Sequence, residues 1–248
     1  MKIVLSPAKK LDFSKSANTK NGSDLIFPNK TEKLVQKMKS LSVGELRVLM
    51  KLSIDLSNLN YGRYQLMGRK ENENALAAEA FNGEVYSGLD FKSFSSSELE
   101  SAQEKIIILS GLYGILKPNT IIEPHRLEMG TNLDVEGSKN LYAFWGDDIL
   151  SFLQREEKDT IVNLASNEYS KAAKLNQFNG TVVTPHFKEF KNGDFKVIMV
   201  YAKKARGAMA KWIIKNNINN SEEIKNYTED GYIFNEVLSS GKDWVFTR

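Results

Sequence analysis

The first part of the chain combines one short apolar run with a longer stretch of helical periodicity. "KIVLSPA", from Lys2, is typical of a buried strand that ends at Pro7. A polar loop rich in Asn, Gly and Ser is expected over residues 13–24. Over residues 30–56 apolar positions recur at helical spacing, and Ser42 and Glu45 have the spacing of a capping box. The pattern therefore predicts a strand, a loop and then two helices.

The rest of the chain alternates helical and extended patterns irregularly. The predicted helices are "SSSELESAQEK", "GDDILSFLQREE", "SNEYSKAAKL" and "YAKKARGAMAKWII". The predicted strands are "IIILS", "TIVNLAS", "GTVVTPHF", "FKVIMVYA", "GYIFNEV" and "WVFTR", with a hairpin turn at "KNGD". Because the alternation is irregular and no Gly/Ser/Pro-rich linker interrupts the chain, we predict an α+β fold with a mixed sheet, in one compact domain over residues 1–248.

A stretch at residues 56–64, "LSNLNYGRY", has the outline of a helix-hairpin-helix. We predict a turn between Leu56 and Leu59, with Asn58 where glycine is usual, because Asn tolerates the left-handed conformation. Such a hairpin presents backbone amides to DNA phosphates, and Asn60 and Arg63 would lie beside it. A plain corner between two helices is the alternative interpretation.

Composition excludes several kinds of chemistry. The chain has no cysteine, which rules out disulfides, thiolate nucleophiles and cysteine-bound iron–sulfur or zinc sites. Lys and Arg number 34 against 31 Asp and Glu, so the net charge of +3 does not by itself indicate nucleic-acid binding. No apolar run approaches the ~20 residues of a membrane span, and the start lacks a cleavable signal pattern. We therefore expect a cytoplasmic protein with no membrane partner.

The helix "YAKKARGAMAKWII" carries three cations, Lys203, Lys204 and Arg206, in what the pattern predicts to be its first turn. The positive end of the helix dipole lies there, so an anionic partner is expected. Arg206 falls on the margin of the apolar face, beside Gly207, where another backbone or a ligand could approach closely. Arg206 therefore faces either an anionic ligand or an internal acid, and Glu128, Glu168 and Asp12 are the candidate acids.

Other polar residues follow predicted strands. Lys9 and Lys10 come just after the first strand, where ligand sites are common in sheet proteins. "EPHRLEMG" contains His125, Arg126 and Glu128, but a metal site needs at least three ligands and the chain has only one other histidine, so we predict no metal site and no cofactor. Should the protein be an enzyme, the candidate catalytic residues are Glu128, Glu168, Asn163 and Ser166, although capping alone would explain Ser166.

Seven motifs occur in order along the chain. They are "SPAKKLD", "FNGEVYSGL", "LSGLYGILKP", "PHRLEMG", "NLYAFWGD", "VNLASNEYSKA" and "YAKKARGAMAKWII". Together they make the chain resemble the YaaA-type peroxide stress resistance family. The resemblance implies a cantaloupe-like α+β fold with a helix-hairpin-helix and a positively charged cleft. Lys9, Arg126, Lys203, Lys204, Arg206 and Gly207 stand at matching motif positions, and together with Lys10 they are the residues that we predict to bind DNA or another anion. Two positions depart from the family pattern, with Lys10 in place of Thr and His125 in place of Tyr.

Two functions are consistent with these observations. The resemblance implies a cytosolic protein that binds duplex or distorted DNA without sequence preference, protects it from oxidative damage and helps limit free intracellular iron. The alternative is an enzyme that acts on a nucleotide or another small phosphorylated ligand in a basic cleft that also contains carboxylates. Convergence of Glu128 and Glu168 with Lys9 and Arg206 in an enclosed pocket would favour the enzyme, whereas an open groove would favour DNA.

Overall fold

A mixed β-sheet organises the fold in the computed structural model, which describes residues 1–14 and 22–248. Its strands and the shorter ones beside it are β1 Lys2–Leu5, β2 Lys10–Leu11, β3 Ala75–Leu76, β4 Phe81–Asn82, β5 Ile106–Ser110, β6 Gly114–Leu116, β7 Ile121–Ile122, β8 Thr160–Asn163, β9 Thr181–Lys191, β10 Asp194–Lys196, β11 Ile233–Ser240 and β12 Asp243–Thr247. Each sequence-based strand has a counterpart among these, and β9 and β11 extend beyond the apolar runs that predicted them. Of "FKVIMVYA", however, only the first two residues are in a strand, and residues 199–202 are helical.

Parallel strands occupy the centre of this sheet. The order is β11-β12-β9-β8-β1-β5-β6, with β10 paired to β9. Pairing is parallel from β12 through β9, β8 and β1 to β5, and antiparallel at β6, β10 and β11. β1 and β5 are buried at every position, as expected for apolar runs in central parallel strands. The fold is therefore a mixed α/β domain, with more parallel pairing than the α+β prediction implied.

Helices connect the strands. They are α1 Pro28–Ser40, α2 Val43–Met50, α3 Ile54–Leu66, α4 Ala77–Ala80, α5 Glu84–Leu89, α6 Ser96–Lys105, α7 Leu141–Trp145, α8 Asp148–Glu156, α9 Asn167–Ala172 and α10 Met199–Lys215. The predicted capping box at Ser42 and Glu45 is confirmed, and Ser95 and Glu98 form a second one. Each box satisfies amide groups that the helix itself leaves unpaired.

The predicted hairpin turn between Leu56 and Leu59 is wrong. Those residues lie within α3, so Asn58 is in a helix interior and not in a turn. The chain turns earlier, where Lys51 adopts the left-handed conformation (φ 53°) and Ser53 caps α3. Asn60 is buried and donates from Nδ2 to the carbonyl of Leu56 at 2.8 Å, so it supports the helix and is not available to DNA.

The start of α10 also differs from the prediction. The hairpin at "KNGD" is confirmed, with positive φ at Asn192 and Gly193, but β10 ends at Lys196 and α10 begins at Met199. Lys203, Lys204 and Arg206 therefore lie in the second turn and not in the first. The dipole of the helix start acts on them less strongly than the sequence argument assumed, because that effect falls off within one turn.

One continuous hydrophobic core extends from β1 through the sheet and α10 to β12. Most of the polar loop predicted over residues 13–24 lies outside the described residues.

Among the helices that the structure describes, none combines the length and the apolar character needed to cross a bilayer. The central sheet positions the candidate site. β1 pairs in parallel with β5 on one side and with β8 on the other, so these two neighbours lie toward opposite edges of the sheet.

Candidate functional site

A partly enclosed cavity of about 560 Å³, the cleft, lies at the carboxyl ends of β1, β5 and β8. Its walls are formed by residues 6–10, 81–85, 110, 125–128, 164, 166, 168, 169, 199, 203 and 206. β1 lies between β5 and β8, so the connections leave it toward opposite edges of the sheet. In open α/β sheets ligands bind at such a switch point, outside the carboxyl ends of the strands. The volume is in the usual range for a small-molecule site.

The cleft brings together most of the predicted anion-binding residues. Lys9, Lys10, Arg126, Lys203 and Arg206 all line it, although they come from three distant parts of the sequence. Lys204 is exposed beside them on α10 and does not contribute to the cavity wall. Five of the predicted cations therefore lie around one cavity, and whether they bind an anion stays a prediction.

Gly207 does not face the cleft. It is buried against α5, and a Cβ at this position would lie 1.7 Å from the carbonyl oxygen of Val85. Gly88 of α5 is equally close, since its Cβ would lie 2.1 Å from the carbonyl oxygen of Lys204. Gly207 thus allows two helices to pack closely, and its assignment to the anion-binding set is not supported by its position.

Glu128 is the most strongly neutralised acid of the cleft. Lys9 Nζ lies 2.6 Å from Oε2, and Arg126 donates to Oε1 from Nη2 at 2.8 Å and from Nε at 3.2 Å. Burial acts to raise the pKa of this carboxyl, but the hydrogen bonds and charges of Lys9 and Arg126 outweigh it and lower the pKa overall. Two of the cleft's cations are therefore already paired.

Glu168 is held differently. It accepts a hydrogen bond at Oε1 from the backbone amide of Gly130 at 2.7 Å, and it has no ion pair with a described residue. Gly130 leaves little space at this point, since an added Cβ would lie 3.4 Å from the same oxygen. The carboxylate of Glu168 is thus oriented by the backbone while it lines the cleft, and Glu84 is the third acid there.

Arg206 has no ion pair or hydrogen bond to any residue in the described part of the chain. Glu128 is paired with other cations, Glu168 with a backbone amide, and the hydrogen bonds of Asp12 include both the amide and the hydroxyl of Ser14. Burial lowers the pKa of the half-buried guanidinium, and no nearby carboxylate counteracts it. None of the three candidate internal acids pairs with it, so a charged group lining the cleft is left for a ligand.

Ser6 and Ser166 link the ends of β1 and β8. The backbone amide of Ser166 donates to Ser6 Oγ at 2.8 Å, and Ser6 Oγ donates to Ser166 Oγ at 3.3 Å. Ser166 is the N-cap residue of α9, as predicted, but its side chain accepts no hydrogen bond from the helix. Its hydroxyl therefore lines the cleft together with Glu128 and Glu168.

Asn163 is separated from the other candidate catalytic residues. Its Nδ2 donates to Thr184 Oγ1 at 3.3 Å and its Oδ1 accepts from the amide of Ala165 at 3.2 Å. It lines a different cavity, together with Ser170, Lys171 and other residues. Its described hydrogen bonds tie β8 to β9 and to the following turn.

Sequence reasoning did not assign His125 to the ligand site. It lines the cleft beside Arg126, but its ring is also packed against the rings of Phe81 and Tyr113. Among the described residues, no three His, Asp or Glu side chains come together as a metal site. The only signal in the sequence was its adjacency to Arg126, since burial and contacts depend on the tertiary fold.

The three residues predicted for the hairpin are not in the cleft. Asn58, Asn60 and Arg63 lie on α3, and Arg63 contacts Asn60 Oδ1 from Nη1 at 3.5 Å. Burial lowers the pKa of Arg63. α3 contributes to the site indirectly, because the Tyr64 hydroxyl donates to the carbonyl of Arg126 at 2.8 Å and fixes the loop that carries it.

Comparison with known proteins agrees with the motifs. A family model described as peroxide stress protein YaaA matches residues 1–238. UPF0246 proteins of Colwellia psychrerythraea and Idiomarina loihiensis are each 44% identical over 254 residues, with 100% of this chain and 99% or 98% of those proteins covered. A UPF0246 protein of Saccharophagus degradans is 43% identical over 255 residues, covering 100% of this chain and 99% of that protein. The chain therefore belongs to the peroxide stress protein YaaA family, UPF0246.

Proposed function

We propose that this protein acts in the peroxide stress response by binding DNA, with backbone phosphate in the cleft. The observation that carries the proposal is the guanidinium of Arg206 in the cleft wall, which pairs with no acid in the part of the chain that the structure describes. Exposed Lys10, Lys203 and Lys204 extend the positive charge beyond it. Arginine binds phosphate bidentately, and a half-buried site strengthens that interaction. Contacts to phosphate alone give binding without sequence preference.

Fluorescence anisotropy with a labelled duplex, at several salt concentrations, tests this proposal. Binding should weaken steeply with salt, because it is driven by counterion release. Arg206→Ala should lower affinity about tenfold or more and reduce the salt slope by about 1, as expected for one lost phosphate contact. Arg47→Ala is the matched control, because Arg47 is exposed and lies outside the cleft. Equal affinity for the folded Arg206→Ala variant and the wild type would refute the assignment.

The proposed cellular role is survival of hydrogen peroxide through protection of DNA and limitation of free iron. Cells that carry Arg206→Ala in place of the wild type should lose peroxide resistance if DNA binding in the cleft is required. Arg47→Ala cells should keep it. Normal resistance of Arg206→Ala cells, at equal protein levels, would separate the stress function from this cleft.

A second function is supported by the acids of the same cavity. Glu128, Glu168 and Ser166 line the cleft with Lys9 and Arg206, an arrangement suited to acid–base chemistry on a small phosphorylated ligand such as a nucleotide. Glu168 is the better candidate base, since Glu128 is neutralised by two cations. A thermal-shift screen of nucleotides should find stabilising ligands, and Glu168→Gln should abolish turnover of a substrate without weakening DNA binding, because the substitution removes a negative charge from the cleft. No stabilisation by any nucleotide would count against this alternative.

A further inference from the structure

His125 occupies a buried position in the cleft wall. Only 6% of the residue is exposed, and its ring makes edge contacts with Tyr113, at 4.9 Å between centroids, and with Phe81, at 6.4 Å. The residue belongs to the same loop as Arg126 and Glu128. Its ring orientation is therefore set by packing on two sides and does not depend on a ligand.

The hydrogen bond of His125 fixes which ring nitrogen carries the proton. Nδ1 lies 2.8 Å from the carbonyl oxygen of Glu123, and a carbonyl oxygen only accepts, so Nδ1 is protonated and donates. Burial lowers the pKa of His125 to about 4, and the charge of Arg63 acts in the same direction. The ring is neutral at neutral pH, and Nε2 is left as an acceptor.

Nε2 has no hydrogen-bonding partner among the residues that the structure describes. This acceptor contrasts with the rest of the cleft, where Lys9, Lys10, Lys203 and Arg206 offer donors. The oxygens of a phosphodiester carry no proton, so they are satisfied by those donors and cannot donate to a further acceptor. An acceptor that is left unpaired when a ligand displaces water weakens binding, roughly tenfold. The ligand that suits this cleft therefore carries a hydrogen-bond donor as well as a phosphate.

The apolar part of the wall indicates the size of that ligand. Pro7, Phe81, Val85, Leu127, Leu164 and Met199 line the cavity together with the charged residues. The volume of about 560 Å³ exceeds what a phosphate ion fills and is in the range used for small organic ligands. A nucleoside provides an apolar ring face and several hydroxyl or amino donors.

We propose that the cleft binds a nucleoside monophosphate unit, with its phosphate at Arg206 and one of its hydroxyl or amino groups donating to His125 Nε2. This inference rests on the proposed phosphate binding at Arg206. It adds His125 as a specificity residue and a nucleotide as the ligand class, and phosphate binding alone requires neither. The unit is either a free nucleotide or a nucleotide of a DNA strand that enters the cleft.

Calorimetry with adenosine monophosphate and with dimethyl phosphate, the phosphate probe because a diester carries no proton, tests the inference. The wild type should bind the nucleotide more tightly than phosphate. His125→Phe keeps an aromatic ring between Phe81 and Tyr113 but removes Nε2, so it should weaken nucleotide binding about tenfold and leave phosphate binding unchanged. Arg206→Ala should weaken both. Deoxyadenosine monophosphate lacks a sugar hydroxyl, and inosine monophosphate lacks the amino group. Weaker binding of one or the other therefore identifies the group that donates to Nε2.

Nitrogen-15 NMR of labelled histidine gives a second readout on the unaltered protein. The chain has two histidines, so His186→Asn, at a partly exposed position, assigns the signals without changing the cleft. Adenosine monophosphate should shift the His125 Nε2 resonance toward that of a hydrogen-bonded acceptor, and dimethyl phosphate should not.

Several results would overturn the inference. They are an unmoved Nε2 resonance with saturating nucleotide, equal losses of nucleotide and phosphate affinity in His125→Phe, or no loss of either. Binding of neither probe by the wild type, together with DNA binding that depends on Arg206, would refute this inference and leave the proposed function standing. Absence of all binding, including to DNA, would refute both.

Discussion

His125 is buried as a neutral ring, and this makes the stability of the fold depend on pH. Its pKa is about 4 in the folded protein against 6.5 for a free histidine. Between these values the unfolded chain binds more protons, so the free energy of unfolding decreases as pH falls from 7 toward 4. From pH 7 to pH 5 the expected loss from this residue is about 2 kcal/mol.

Denaturant unfolding at pH 7 and pH 5 measures that loss. The wild type should lose more stability at pH 5 than His125→Phe does, because the variant has no imidazole to protonate there. Comparison of the two proteins removes contributions from other groups, which are common to both. The same pH dependence in both proteins would contradict the burial of a neutral His125.

We expect the charge of Arg206 to lower the free energy of unfolding, although the same charge serves phosphate binding. Burial lowers its pKa, and no described residue pairs with it. Arg206→Met keeps the apolar contacts of the side chain without the charge, so the free energy of unfolding should stay equal or rise by up to about 1 kcal/mol. Phosphate binding should fall at the same time, by calorimetry.

Arg126→Met is the matched comparison for Arg206. Arg126 donates twice to Glu128, so its loss leaves that acid with Lys9 alone. A decrease of about 1 kcal/mol in unfolding free energy is expected, since the pair is partly exposed. A larger loss for Arg206→Met than for Arg126→Met would show that Arg206 has a structural partner.

At the scale of elements, the contact between α5 and α10 depends on two glycines. A Cβ at Gly207 would lie 1.7 Å from the carbonyl oxygen of Val85 and 2.7 Å from the amide nitrogen of Leu89. Backbone atoms cannot move aside without separating the helices. Gly207→Ala should therefore lower the free energy of unfolding by about 3 kcal/mol or prevent folding.

Gly62→Ala is the control for that substitution. Gly62 is inside α3, with nothing within 4 Å of an added Cβ, so alanine should stabilise the helix by about 0.5–1 kcal/mol. Thermal unfolding of the two variants compares them directly. Similar effects of both substitutions would mean that α5 and α10 are not packed as closely as the structure places them.

At the scale of the molecule, β12 holds one side of the sheet together. It pairs in parallel with β9 and antiparallel with β11, and Trp244, Val245 and Phe246 are buried. A chain that ends at Gly241 leaves β11 without a partner and exposes the core under β9. It should lose cooperative unfolding, as followed by circular dichroism, because deletion removes several core side chains together.

Val237→Ala is the control within the same region, because Val237 is 93% exposed on β11. Its unfolding transition should match the wild type within about 0.5 kcal/mol. A truncated chain that unfolds with the stability of the full protein would show that β12 does not contribute to the core.

Local patterns predicted most individual elements. The runs that became β1, β5 and β8 are apolar enough to be recognised alone, and the caps at Ser42 and Ser95 follow from side chains three residues apart. α3 was predicted wrongly because Asn58 and Gly62 are turn formers in isolation. The helix continues through these positions, where Ser57 and Asn60 are buried and bond to carbonyls one turn earlier, because tertiary packing overrides local turn preference.

The start of α10 shows a second limit of local patterns. Val197, Met199 and Val200 resemble a strand in sequence, yet they are exposed and the last two are helical. Apolar character predicts burial only on average, and a short run does not distinguish strand from helix. Packing of α10 against α5 and β9 decided where the helix begins.

The sequence by itself determined the family, the chemistry that the absence of cysteine excludes, and the residues that make up the cleft's charges. Only the tertiary structure decided which charges are neutralised. Lys9 and Arg126 pair with Glu128 because the end of β1 and the loop after β7 converge, whereas Arg206 reaches the cleft from α10 and pairs with no acid among the described residues. Partners so distant in sequence leave no local pattern, because their contact depends on how the whole chain folds.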